Sequence, residues 1–255
     1  MPKASYRWLW RSGFSLVAVL LAAGCGAAAA DLPVDLPRGE ITLPAPEDYQ
    51  VRDGAGRDVR RALPGYLARR LGTRWQAVLA APGAVEAAVG EWHPVRKAEA
   101  LGLVGVVQTL PDGLSGGRFE ARRNELESIT RRLVDDVSRA LMVPVEADPD
   151  ALLRLFMENP AEVPAKLRDR LLPMTTERPG PGSVLLMMLR SSTSARGGYH
   201  AQGLGLCIVS AQASDAGALS VAWSQPVAGM AEFDALRRLL RATARALDPG
   251  AGSIP

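Results

Sequence analysis

Apolar residues along the chain change their spacing in a way that predicts strands and helices in alternation. Leu126, Ile129, Leu133, Val137 and Leu141 recur at intervals of three and four and predict one long helix over 120–141. Phe233, Leu236, Leu240 and Leu247 predict another over 232–247. Glu232 and Asp234 lie in its first turn and Arg237, Arg238, Arg241 and Arg245 follow, the order the helix dipole favours. Short apolar runs bounded by turn residues fit strands over 75–80, 103–110, 183–189, 199–212 and 219–225. Asp58 is placed to cap a helix over 58–71 that Pro64 interrupts, and two short helices fit 82–90 and 94–102. Asp148-Pro149 opens a further helix ended by Asn159-Pro160, and another segment fits 164–172. ERPGPG at 177–182 reads as a tight connection and RSSTSARGG at 190–198 as a polar loop. The fold class implied is α/β, with α+β left open. It has a mixed sheet, flanking amphipathic helices, and a carboxy-terminal β-meander followed by a helix.

The amino terminus departs from this pattern. Phe14–Ala23 is apolar apart from Ser15, is preceded by Lys3, Arg7 and Arg11, and is too short for a stable membrane span. Ala22, Ala23 and Gly24 then lead into Cys25. This segment resembles a bacterial lipoprotein signal, whose pattern is Leu, a small residue, Gly or Ala, then Cys. Ala22 stands at the Leu position, with Leu21 one place further back. The resemblance implies acylation of Cys25, a membrane contact through that lipid and, with Gly26 following, the periplasmic face of the outer membrane. The alternative is cleavage after Ala28-Ala29-Ala30, which would release a soluble periplasmic protein. The expected organisation is a signal over 1–24, a flexible Pro-rich tether over 25–46 and one α/β domain over 47–248. Residues 120–173 are a candidate helical insertion in that domain, and 249–255 a loose tail.

Charge adds one exclusion. The chain carries 30 Lys and Arg against 27 Asp and Glu, and all three excess cations lie within the signal, so the remainder is balanced. A balanced chain argues against a nucleic-acid partner. The only cysteine besides Cys25 is Cys207, inside the apolar run Leu204–Val209, which predicts a buried thiol. Histidine is limited to His93 and His200, and no HExxH, CxxC, GxSxG or phosphate-loop pattern occurs. Asp135 and Asp136 are adjacent on a helix and point apart. No catalytic residue, metal ligand or cofactor follows from these residues, and a non-enzymatic protein is the expectation.

Two groups remain as candidate contacts. Arg237, Arg241 and Arg245 share one helix side and suit acidic headgroups or an acidic partner, against the plainer reading of a solvated face. Trp92, His93 and Tyr199 supply an aromatic and polar set for a candidate ligand pocket. Gly203 and Gly205, two apart in a strand, mark a bulge or close packing.

The element order over 58–110, with 206–212, 219–225 and 232–247, resembles the amino-terminal domain of TolB and related curli-secretion and penicillin-binding-protein-activator lipoproteins. That resemblance lies in pattern and brings over no site residue. With the anchor, it implies a non-catalytic accessory of an envelope secretion, export or assembly machine, with an envelope protein as partner. A periplasmic binder of a small ligand or glycan is the alternative, and a hydrolase using Ser115 or His200 the third reading.

Overall fold

A computed structural model describes residues 29–68, 74–110, 117–141, 154, 156–157, 167–168, 170–193 and 199–252. Strands β1 (Ala29–Leu36) and β2 (Gly39–Pro46) form a hairpin. The main sheet contains β3 (Gln50–Asp53), β4 (Arg74–Ala80), β5 (Val104–Thr109), β6 (Leu171–Gly180), β7 (Ser183–Thr193), β8 (Tyr199–Val209) and β9 (Leu219–Val227). Its order is β3-β4-β5-β9-β8-β7-β6, and every pairing is antiparallel. The helices are α1 (Arg57–Ala62), α2 (Gly65–Ala68), α3 (Ala84–Gly90), α4 (Pro94–Leu101), α5 (Gly117–Leu141) and α6 (Met230–Leu247). The α/β class, the flanking amphipathic helices and the closing meander and helix are those the sequence predicts, whereas the sheet expected to be mixed is antiparallel at every pairing. No helix among the described residues is long and apolar enough to cross a membrane.

The strands of the meander bury both faces, because alternate side chains point to opposite sides. From β7, Leu185, Met187 and Leu189 go to one side, and Val184, Leu186 and Met188 to the other. The first side, here the hairpin face, is covered by α6 and the β1–β2 hairpin. Phe233, Leu236, Leu240 and Ala244 meet Trp223 there, with Val34, Ile41 and Leu43 in the same cluster. Trp223 is fully buried, and its Nε1–H donates to Thr243 Oγ1 on α6 at 3.0 Å. Gly203 and Gly205 give α6 its close seat: a Cβ at either position would stand 3.0 Å from Leu236 or Leu240. At the end of α6 the buried Asp248 accepts hydrogen bonds from Gly182 N (3.2 Å) and Ser183 Oγ (2.8 Å), which ties the helix to the β6–β7 turn. The second side, the crossover face, is covered by α1–α5, with Val59, Leu67, Val85, Leu101, Phe119 and Leu126 packed on the sheet.

Several expectations are corrected. The tether over 25–46 holds a folded hairpin from Ala29, whose Val34, Leu36, Ile41, Leu43 and Ala45 are buried. Its prolines are tolerated because a two-stranded ribbon has outward edges that need no donor. Residues 171–172 and 177–180 belong to β6, an edge strand that admits Pro173 and Pro179 at irregular register positions. The candidate insertion over 120–173 therefore contributes an edge strand to the main sheet. In α5 the inward line is Phe119, Leu126 and Thr130, while Ile129 is 43% exposed. The helix is rotated from the expected stripe because the Thr130 hydroxyl meets Thr176 of β6 at 2.8 Å and Glu127 pairs with Arg178. That Arg178 hydrogen bond holds the Glu127 carboxyl below its ordinary value. The helix expected over 58–71 is two short ones, because Pro64 pushes Leu63 out of the helical region. Pro249–Gly252 forms a 3-10 turn where a loose tail was expected. The signal, Cys25, Ser115 and positions 148–153 of the helix expected from Asp148 lie outside the described residues.

Candidate functional site

The rows of side chains on the crossover face are apolar for most of their length and turn polar at one end. On β7 the row Val184, Leu186, Met188 continues as Arg190 and Ser192. On β8 the row Ile208, Leu206, Leu204 continues as Gln202 and His200, and on β9 Ala222 is followed by Ser224. The register sets Arg190 opposite Gln202 and Ser192 opposite His200. Side chains at directly paired positions stand about 5 Å apart at their Cβ atoms, so these residues form one cluster.

Ser224 organises it. The side chain is fully buried, and its hydroxyl donates to the Gly203 carbonyl at 3.2 Å. It accepts from Gln202 Nε2 at 2.9 Å and lies 3.2 Å from the Tyr66 hydroxyl. A serine has one hydrogen to give, so Tyr66 is the donor in that contact. Burial pushes the Tyr66 phenol up to about 12, although the Ser224 hydrogen bond and the Arg190 charge both pull it down. The phenol stays neutral and keeps its proton. The Arg190 guanidinium carbon lies 5.6 Å from the centre of the Tyr66 ring, a cation–π contact. No carboxylate among the described residues pairs with Arg190. On the far side of the cluster, His200 Nδ1 lies 3.4 Å from Glu99 Oε1 of α4.

Glu99 also lines an open cleft of about 430 Å³ at the same end of the sheet, with Tyr49, Pro82, Ala84, Ala87 and Leu103. The Tyr49 hydroxyl closes one wall by donating to the Leu103 carbonyl at 2.7 Å. Burial, with the Asp48 charge adding to it, raises that phenol well above its ordinary value. The cleft and the polar cluster form one surface, apolar on one side and hydrogen-bonding on the other.

The polar cluster is held by internal hydrogen bonds. The Ser224 hydroxyl has its hydrogen and both lone pairs committed and no access to solvent. His200 faces a carboxylate. Among the described residues no three His, Cys, Asp or Glu side chains come together in a way that suits a metal ion.

The residues singled out from the sequence fall elsewhere. Trp92 lies 86% exposed in the turn between α3 and α4, with its ring edge-on to His93 at 5.8 Å. The His93 Nδ1 is buried without a partner. Since α3 leads away from the Ala81–Gly83 side of the cleft and α4 returns to it, Trp92 and His93 sit at the opposite end of that helix pair. Tyr199 opens β8, paired with Thr193. None of the three is among the described residues that line the cleft. Arg237 donates to Glu177 of β6 at 2.9 Å, and Arg241 reaches both oxygens of the same carboxylate at 2.7 and 3.0 Å. Arg245 is exposed. Cys207 is fully buried, and burial, helped by the Asp248 charge, pushes its thiol up into the protonated form. Sequence reasoning missed Tyr66, Gln202 and Ser224, and it took in Arg190 only as the start of the polar loop over 190–198, read as a contact loop or a long hairpin connection. Reading every second residue back from the apolar rows of β7, β8 and β9 would have grouped Arg190 with Gln202 and Ser224.

No family model matches the chain, and no curated protein matches it. Among solved structures it is similar to the Saccharomyces cerevisiae Ran-binding protein Mog1p. The identity is 12% and the TM-score 0.41, over 88% of this chain and 99% of that one. A point mutant of Mog1 gives the same identity and TM-score over 85% and 94%. These matches correct the expectation of an accessory of a bacterial envelope machine. The similar structures are of a Ran-binding protein, and the envelope role is withdrawn with its ligand-binding and hydrolase alternatives.

Proposed function

We propose that this chain is a protein-binding domain without a reaction of its own, and that the contact surface is the polar end of the crossover face together with the adjoining cleft. The single observation that carries this reading is the Gly203–Ser224–Tyr66–Arg190 chain of contacts. It holds a guanidinium in a fixed pose at a half-open surface, and the two hydroxyls at its centre, those of Ser224 and Tyr66, are bonded to each other. Pre-ordered polar groups beside an apolar cleft lower the cost of binding, since little side-chain freedom is lost. The class of partner, a protein, is also that of the Ran-binding Mog1p. Neither Ran nor any surface of Mog1p is carried over. A photo-crosslinking residue at Ser192 tests the reading in cells, with Arg245 as the comparison position. One defined protein adduct at 192 and none at 245 is the expected result. Equal labelling at both positions, or none at 192, would contradict it.

Membrane attachment through Cys25 is a separate proposal, carried by the amino-terminal sequence alone. Only Gly26, Ala27 and Ala28 separate Cys25 from β1, so an acylated chain would be held close to its membrane. Incorporation of a palmitate analogue that disappears in Cys25→Ala is expected. Unchanged incorporation in that variant would refute it.

A further inference from the structure

We infer that Arg190, with Gln202 and Ser192 beside it, forms a subsite for a single carboxylate of the protein partner. The inference rests on the reading of this surface as a protein contact and names the chemistry recognised there. Three observations carry it. First, the Arg190 guanidinium lies over the Tyr66 ring, 5.6 Å from its centre, and meets no carboxylate among the described residues. A ring-stacked guanidinium keeps its edge N–H groups free, and that edge matches the two oxygens of a carboxylate. Second, further donors lie in the same register. Gln202, directly across from Arg190, spends one amide hydrogen on Ser224 and has a second to give. Ser192 follows Arg190 on the same row, opposite His200.

Third, the charge of the cluster selects a monoanion. Among the described residues Arg190 is its one cation, and Glu99, facing His200, is its one anion. A doubly charged phosphate would bring more negative charge toward Glu99 than one guanidinium offsets, whereas a carboxylate matches the single positive charge. The apolar cleft that shares Glu99 has room for a neighbouring side chain, so the carboxylate fits either a chain terminus or an acidic side chain presented by the partner.

Side-chain amide and guanidinium resonances, followed by NMR on the whole domain, test this with three probes. These are N-acetyl-leucine (terminal carboxylate), N-acetyl-aspartate N-methylamide (side-chain carboxylate) and N-acetyl-leucine amide (neutral). The expected result is a saturable shift of the Arg190 and Gln202 side chains with at least one carboxylate probe and none with the amide. Whichever carboxylate binds tighter identifies its source. Arg190→Gln should weaken the binding about tenfold or more, and Arg190→Lys, which keeps the charge and loses the fork, several-fold. Arg245→Gln should leave it unchanged. Equal shifts with the neutral amide, unsaturating shifts, or full binding by both Arg190 variants would overturn the inference. Loss of the probes' effect alongside an intact crosslink at Ser192 would refute the carboxylate subsite alone. Loss of the crosslink with the probes still binding would refute the protein-contact reading alone.

Discussion

The two faces of one sheet are built from the same strands and end in opposite ways. On the hairpin face, the apolar middle of the rows is sealed by α6 and the β1–β2 hairpin, with Trp223 at 0% exposure, and the polar residues Ser183 and Gln225 near their ends bond back to Asp248 and to the Glu232 carbonyl of α6. On the crossover face, the corresponding rows stop being apolar after Met188 and Leu204, and Arg190, Gln202 and His200 take over. Both faces contain a buried hydroxyl bonded to an aromatic side chain. On the hairpin face the pair is Thr243 and the Trp223 indole, and it fastens a helix to the sheet. On the crossover face the pair is Ser224 and Tyr66, and what it fixes is the platform under a surface guanidinium. The same device serves stability in one place and presentation in the other, because what lies beyond the aromatic ring differs.

That contrast ranks the consequences of substitution. The largest effect is expected at Trp223. Trp223→Ala removes the largest fully buried side chain of the hairpin face and leaves Thr243 with only its bond to the Leu239 carbonyl of its own helix. A loss of about 3–5 kcal/mol is expected, read by urea unfolding. A loss below about 1 kcal/mol would mean that α6 and the hairpin collapse around the gap, and the faces would then be less different than described. The smallest expected effect on stability is at Arg190, where the side chain is partly exposed and a surface cation–π contact is worth about 0.5–1 kcal/mol.

How much of this is legible in the sequence depends on what each signal measures. Strands β4, β5, β7, β8 and β9 and helix α6 are readable because their apolar residues keep one period and are bounded by Gly, Pro or charged residues. The glycine pair at Gly203 and Gly205 is readable as close packing, and it is where Leu236 and Leu240 of α6 settle. The β1–β2 hairpin is not, although Leu32, Val34 and Leu36 on one strand and Ile41, Leu43 and Ala45 on the other recur with period two, because Pro33, Pro44 and Pro46 suggest an extended tether. Strand β6 is obscured in the same way by Pro173 and Pro179. Pro excludes central strands and says little about edges and ribbons.

The candidate site is harder to see, for a different reason. Arg190 reads as the start of a polar loop over 190–198 because RSST is polar, yet the strand runs on to Thr193. A polar end to an apolar row looks, in one dimension, like the end of the strand. Only the register, with Gln202 across from Arg190 and Ser224 one strand further, turns three separate polar residues into a cluster. Conversely, Arg237 and Arg241 stand out as a stripe of charge, but their partner Glu177 is some 60 residues away and becomes visible only with β6 in place beside α6.

The division of labour between the faces is tested most directly by one variant measured twice. For Arg190→Glu, the melting temperature and the photo-crosslink at Ser192 are read on the same protein. The account predicts a shift of no more than about 2–4 °C, in line with a contact worth about 1 kcal/mol in a domain of this size, together with loss of the adduct. A large drop in melting temperature, or an adduct that persists at full strength, would contradict it: the first would make Arg190 part of the core, and the second would remove it from the contact surface.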